Sequence, residues 1–404
     1  MVAITGVGAV TPMGIGVDAL WNGLLAGRPT VVDLSSRGQS WANLPVPVAA
    51  VAPELGPDVI DPIRARRLDR SQSLAVVAAA EAWAQAGAPE VERDRLAVVI
   101  GSGTGGIQTL LDQDDVLETS GARRVSPRTV PMLMANAAAA QISIEYGAGA
   151  GVFTPVSACA AGAEAVAMGM RLIDGDEADV VIVGGAEAAI MPLTLAAFAQ
   201  TQALAKPTRA LDQLSRPFDL NRSGFVLGEG AGVLVLESER HAAARRAPVI
   251  AHIAGFGISS DAHHITASDP TGAGQIRAMA TAVRRSGLRP GDVNHINCHA
   301  TGTAVGDRSE AAAIRAVFGE QVPVTAPKAS IGHLFGGAGA VEAIITALTI
   351  RTGIIPPTKN LDDADPELML DVVTTERSMP VGAAVSNSFG FGGQNVALLL
   401  TRAV

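Results

Sequence analysis

Apolar runs that exit into glycine recur along this chain, and alanine-rich stretches of helical length separate them. Residues 2–6, 96–101 and 180–185 are apolar almost throughout, where a half-exposed strand would alternate. That is the pattern of strands buried on both faces. Residues 71–87 and 160–174 lie between them with the length and composition of helices. Strands covered on both faces need helices on both sides, so the spacing predicts an α/β fold. A second series follows in the same order, with strands over 249–255, 293–297, 322–325 and 383–386 and helices over 274–286 and 337–351. The letters show no clear repeat. The order of elements nevertheless predicts two similar halves, 1–245 and 246–404, joined through the charged stretch 237–246.

Aromatic residues make up 3% of a chain that is 48% hydrophobic, so the core must be close-packed Ala, Val, Leu and Ile. A chain of this length can bury such a core without staples, and its two cysteines give no disulfide framework. The net charge of −9 argues against a nucleic-acid surface, which needs a basic stripe. No charge-free apolar run reaches the length of a membrane span, and Met1 leads into a strand rather than a signal sequence. A cytoplasmic location is expected.

Cys159 lies in Val156-Ser157-Ala158-Cys159-Ala160-Ala161-Gly162, between the apolar stretch 151–153 and the helical segment 160–174. A thiol at a helix N-terminus faces unpaired N–H groups and the positive end of the dipole, and both favour the thiolate. Small neighbours leave room for a substrate. The competing reading is core packing, the usual fate of a free cysteine. Cys298, the other thiol, sits inside an apolar strand. Successive strand side chains face opposite ways, so it cannot share a cleft with His299 and is read as core.

Three further segments carry candidate chemistry. In Asn297-Cys298-His299-Ala300-Thr301-Gly302-Thr303 a strand ends in His299, which either points into a cleft or is a core histidine bonded to backbone. In Lys328-Ala329-Ser330-Ile331-Gly332-His333 a lysine and a histidine share a loop, as ligand-facing groups or as a solvated Lys with a capping His. Glycines at 332, 336, 337 and 339 favour the former, since they let backbone approach a ligand. In Asn387-Ser388-Phe389-Gly390-Phe391-Gly392-Gly393 the glycines either expose N–H groups to an oxyanion or close a hairpin. The basic clusters around Arg66 and Arg67 and at Arg123 and Arg124 are, by themselves, solvated faces.

In this order and spacing, Cys159, His299, Lys328, His333 and the 389–393 loop resemble the β-ketoacyl-[acyl-carrier-protein] synthases of type II systems, within the thiolase superfamily. Ile4-Thr5-Gly6-Val7-Gly8, Arg216-Pro217-Phe218-Asp219 and Gly224-Phe225-Val226-Leu227-Gly228-Glu229-Gly230 extend the resemblance over essentially the whole chain. It implies a thiolase-like five-layered α/β/α/β/α sandwich of two pseudo-symmetric halves, the first carrying the nucleophilic cysteine, the second the two histidines and the lysine. It implies a homodimer and an acyltransferase of fatty-acid elongation. Such an enzyme condenses an acyl-enzyme thioester with malonyl-acyl-carrier protein, with loss of CO2, to give 3-oxoacyl-acyl-carrier protein.

The resemblance also implies roles. Cys159 would be the nucleophile. His299 and His333 would bind the malonyl thioester and stabilise charge, and Lys328 would support them, paired with Glu342 and near Asp307. Phe391 would be a gate, its N–H joining that of Cys159 in an oxyanion hole. Thr301, Thr303 and Phe389 would meet the pantetheine arm. No metal or free cofactor is implied, because substrates ride on the carrier's phosphopantetheine. Arg66, Arg67, Arg123 and Arg124 match basic positions that dock an acidic carrier. Departures are Ala300 for the commoner glycine, Ser223 for an aspartate and Gln202 for a carrier-binding arginine. Thr104 stands where relatives place a bulky acyl-pocket residue.

An alternative keeps the chemistry and changes the pathway: the ketosynthase subunit of a type II polyketide system, a heterodimer with a chain-length factor. A non-catalytic chain-length partner would usually lack Cys159. A thiolase would carry a second cysteine near the final glycine loop, and none is there.

Overall fold

The computed structural model describes residues 1–403. The first half contributes β1 (Val2–Thr11), β2 (Leu96–Gly101), β3 (Gly151–Phe153), β4 (Val180–Glu187) and β5 (Gly230–Ser238). The second contributes β6 (Ala251–Ser260), β7 (His295–Asn297), β8 (Pro323–Thr325), β9 (Asp371–Val372), β10 (Ala383–Gly390) and β11 (Gln394–Thr401). They form one continuous sheet in the order β9-β8-β7-β10-β11-β6-β1-β5-β4-β2-β3. Numbered within its own half, and leaving aside the edge strand β9, each half has the strand order 3-2-4-5-1. The pairings agree as well. Strand 2 is parallel to 3 and 4, while 4–5 and 5–1 are antiparallel, in both halves. The halves meet where β1 and β6 pair antiparallel, from Val2 opposite Ile253 to Ile4 opposite Ala251.

The principal helices are α1 (Arg70–Gln85), α2 (Ile107–Ser120), α3 (Ala161–Asp174), α4 (Ala273–Ser286), α5 (Ala304–Phe318) and α6 (Ala338–Thr352). α3 and α6 pack on each other and on strands of both halves, so they form the middle layer. α1 covers β1 and β5 from outside, and α4, backed by α5, covers β6 and β11. Five layers result: helix, sheet, helix, sheet, helix. α6 shows why its sequence suits the centre. Every residue from Ala338 to Ile350 is buried, and a helix apolar all round can only lie between two covering layers.

Glycine sets how closely the outer helices approach. A Cβ on Gly8 would lie 2.0 Å from the Ala78 carbonyl oxygen of α1, and one on Gly257 would lie 1.9 Å from the Ala278 carbonyl oxygen of α4. Gly6 against Ala82 and Gly255 against Ala282 repeat the relationship one step along.

One expectation needs correcting. The strand expected at 383–386 runs on to Gly390, because the polar Asn387 and Ser388 are themselves buried. The charged stretch 237–246 runs from the end of β5 toward β6 and is ordered. Glu237 is buried at the end of β5, accepts a 2.5 Å bond from Thr5 Oγ1 and pairs with Arg245, and Glu239–Ala244 is a short helix. No helix among the described residues is long and apolar enough to cross a membrane.

Candidate active site

Cys159 occupies a 3-10 turn, Ala158–Ala160, that runs into α3. Ala158 has φ 52, a left-handed conformation that costs an alanine roughly 1–2 kcal/mol. The strain is held by packing. Gly390, at the end of β10, lies so close that a Cβ there would be 2.7 Å from the Ser157 carbonyl oxygen and 3.2 Å from the Cys159 nitrogen. The β10–β11 hairpin therefore closes over the Cys159 turn. The hairpin reading of the glycine-rich tail holds, and the Phe391 N–H faces the Cys159 sulfur.

Cys159 lines a cavity of about 230 Å³ with His299, His333, Thr301, Thr303, Phe389 and Phe391. Phe225 and Phe335 complete its apolar wall. Phe391 is 37% exposed, fitting a residue at the mouth, whereas Phe389 is buried. The hydroxyls of Thr301 and Thr303 lie 3.2 Å apart.

Ligand atoms of Cys159, His299 and His333 lie within 4.8 Å of one another, and the two imidazoles meet edge to face with centroids 5.3 Å apart. Burial, reinforced by the Lys328 charge, holds both histidines well below the usual imidazole range, so both rings are neutral. In each, Nδ1 is buried with no partner. No protein group holds a proton at either Nδ1, so neither ring is locked to the protein through that nitrogen. The same trio is the one group among the described residues whose donors could share a metal ion. Such an ion would consume the thiol that a nucleophile needs.

The helix N-terminus does not decide the state of Cys159. Burial dominates and pushes the thiol up to about 11, against the pull of the Phe391 N–H, the Lys328 charge and its own N–H. Burial thus favours the thiol, where the helix N-terminus read from sequence favours the thiolate. Cys298 is fully buried and pushed up further, as expected of a core thiol.

Lys328 sits against Glu342 in a buried ion pair. Burial pushes Glu342 up to about 7, with Lys328 pulling the other way. Asp307 is not a partner of this pair. It accepts from the N–H groups of Phe218 and Gly302 and faces Arg222 at 3.6 Å. The carboxylate that sequence reasoning missed is Glu310, one turn further along α5. It accepts from the N–H groups of His299 at 2.8 Å and Ala300 at 2.7 Å and from Asn387 Nδ2 at 3.1 Å. Nothing in the letters marks Glu310. Only burial turns a helical glutamate inward to clasp that loop.

The structure does not bring Thr104 to this cavity. Its side chain is exposed and its hydroxyl bonds to Glu187 at 2.6 Å. Arg66, Arg67, Arg123 and Arg124 are all exposed. Ser223 accepts from the Lys206 N–H at 3.0 Å, and Gln202 takes a left-handed φ of 57 at a turn.

Residues 1–242 match the family described as beta-ketoacyl synthase, N-terminal domain, and residues 250–362 match its C-terminal domain. The chain is 42% identical over 405 residues to "3-oxoacyl-[acyl-carrier-protein] synthase 2" of Mycobacterium tuberculosis strain H37Rv, covering 99% of this chain and 97% of that one. A beta-ketoacyl synthase crystal structure from Burkholderia phymatum superposes with a TM-score of 0.91 at 32% identity, over 100% of this chain and 99% of the other. A type II PKS ketosynthase, solved with its acyl-carrier protein and bound to the hexaketide, superposes with a TM-score of 0.90 at 27% identity, over 100% and 99%.

Proposed function

The chain belongs to the β-ketoacyl synthase family, and from that premise we propose that Cys159 holds the growing acyl group while His299 and His333 generate the carbanion that takes it. The enzyme is a condensing acyltransferase. It joins an acyl-enzyme thioester to malonyl-acyl-carrier protein and yields 3-oxoacyl-acyl-carrier protein, in fatty-acid elongation. The observation that carries the residue roles is the meeting of one thiol and two neutral imidazoles within 4.8 Å in an apolar cavity.

Acylation forms the Cys159 sulfur–carbonyl bond and breaks the carrier's thioester, and the thiol proton leaves with the pantetheine sulfur. The N–H groups of Phe391 and Cys159 receive the charge that develops on the carbonyl oxygen. Malonyl thioester then enters, with its carbonyl oxygen facing the Nε2–H groups of His299 and His333. Loss of CO2 places the electron pair of the breaking bond on that oxygen as an enolate. The enolate carbon attacks the acyl carbonyl, the carbon–sulfur bond breaks, and Cys159 departs as a thiolate that takes a proton from water to regain its resting form. Two neutral donors suit this step, since a developing oxyanion gains most from donors fixed in a dry site. Thr301 and Thr303 would hold the pantetheine arm. Lys328 and Glu342 would set the local field.

The partner is acyl-carrier protein, and the substrates arrive on its phosphopantetheine. Arg66, Arg67, Arg123 and Arg124 lie free of carboxylate partners among the described residues, a basic surface on an acidic protein that suits docking of an acidic carrier. The likeness to a type II PKS ketosynthase keeps the polyketide reading as runner-up. Identity of 27% against 42% favours elongation, and a co-purifying chain-length partner would reverse that order.

Intact-mass measurement after incubation with acyl-loaded carrier tests the scheme. An acyl adduct lost in Cys159→Ala and kept in Cys298→Ala supports it, and an adduct that survives Cys159→Ala overturns it.

A further inference from the structure

We propose that Glu187 is a positioning residue of the condensation site, strapping the loop 102–106 to the turn Phe335–Gly337. The inference rests on the reading of Cys159 as nucleophile and adds a residue to it.

Glu187 ends β4, is fully buried, and pairs with no basic side chain among the described residues. Five donors surround it instead. Oε2 accepts from the Gly103 N–H at 2.6 Å and the Gly336 N–H at 3.2 Å. Oε1 accepts from the Thr104 N–H at 3.2 Å, the Thr104 hydroxyl at 2.6 Å and the Ser102 hydroxyl at 3.5 Å. Burial pushes the Glu187 carboxyl up, and the Thr104 hydroxyl with the three amides, which can only donate, pulls the other way.

The two loops come from opposite halves of the chain, and they are pressed together. A Cβ on Gly336 would lie 2.6 Å from the Gly103 nitrogen and 2.8 Å from Glu187 Oε2. On its other side the Gly336 carbonyl meets α3, where a Cβ on Gly162 would lie 2.8 Å from it. Gly162 is in the first turn of the helix that Cys159 precedes. The clamped turn begins with Phe335, a non-glycine residue at φ 44 whose ring lies edge-on to His333 with centroids 4.9 Å apart. Releasing Glu187 frees a strained residue that walls the cavity and buttresses a histidine.

The test is steady-state condensation by folded Glu187→Gln, read as kcat and KM for malonyl-carrier. The kcat is expected to fall about tenfold or more, with KM nearly unchanged. A wild-type kcat in that variant, or a change carried by KM instead, overturns the proposal. If the variant does not fold, Thr104→Val removes only the 2.6 Å hydroxyl bond. It must lower kcat severalfold with KM unchanged, and Thr104→Ser, which keeps the hydroxyl, must restore it, or the strap is refuted. The acyl adduct on Cys159 is read separately by intact mass, so the strap can fail while Cys159 still carries the acyl group.

Discussion

The Lys328 ammonium bonds to the Glu342 carboxylate with neither side chain reaching solvent, at 1% and 0% exposure. Its second carboxylate oxygen, Oε2, has no partner. Such a pair lies inside a dry core, where attraction must offset desolvation of both ions. Removing one partner strands the other charge, at a cost of about 3–5 kcal/mol. Glu342→Leu and Lys328→Met are each expected to lower the thermal midpoint by many degrees, while the double variant Lys328→Met/Glu342→Leu recovers much of the loss. Parallel thermal melts check this. A double variant as unstable as the sum of the singles would contradict the pairing.

Glu310 should matter to catalysis through His299 alone. It holds the N–H groups of His299 and Ala300, and its own oxygens do not face the cavity lining. Glu310→Ala leaves two buried amides unsatisfied and lets the imidazole drift. A shift of about an ångström at a reacting group can cost on the order of 100-fold. Condensation kcat is expected to fall by about that factor, with KM for acyl-carrier little changed. Single-turnover acylation of Cys159 separates the two effects, and equal loss in acylation would place Glu310 elsewhere in the mechanism.

The α/β character and the two-half order were legible because buried strands and apolar helices write their burial into composition, while the five layers came with the family resemblance. The repeat was not read in the letters, and the structure shows it in four glycines. Thr5-Gly6-Val7-Gly8 and Ala254-Gly255-Phe256-Gly257 each meet alanines four apart on a covering helix. Cys159, His299, Lys328 and His333 stood out because each ends or begins an element beside small residues. Glu310 and Glu187 did not. A carboxylate in a helix or at a strand end has no local mark of burial, and its partners lie in loops as far as 149 residues away in sequence. The effect of burial on Cys159 was missed for a related reason. The helix N-terminus is visible in sequence, whereas the exclusion of water by Phe225, Phe335 and Phe389 is a property of the assembled cavity.

His333 should divide the two half-reactions. Its ring is sandwiched edge-on by Phe225 and Phe335, at 5.5 and 4.9 Å between centroids, and faces the cavity beside His299. In the proposed mechanism that placement would serve an oxyanion at the malonyl thioester rather than the attack of Cys159 on the acyl carrier. In His333→Ala, malonyl decarboxylation is expected to fall about 100- to 1,000-fold, the cost of one lost oxyanion donor. Acyl transfer to Cys159 should persist. Radiolabelled CO2 release and acyl-enzyme mass report the two steps separately, and parallel losses would merge the roles assigned to them.

The last consequence concerns pH. A thiol pushed up to about 11 by burial releases its proton only in strongly alkaline solution. At pH 7 almost all of the resting sulfur is protonated, and the thiolate fraction grows about tenfold per pH unit until the pH nears that value. Alkylation of the free enzyme by iodoacetamide should therefore climb steadily from pH 7 to pH 10 with no plateau. Binding of a carrier thioester changes the situation, because the departing pantetheine sulfur accepts the proton that the thiol gives up. Acyl transfer should then rise much less steeply with pH than alkylation does. A plateau in alkylation near pH 7 would show that the helix N-terminus and Lys328 overcome burial after all, and that the resting nucleophile is already a thiolate.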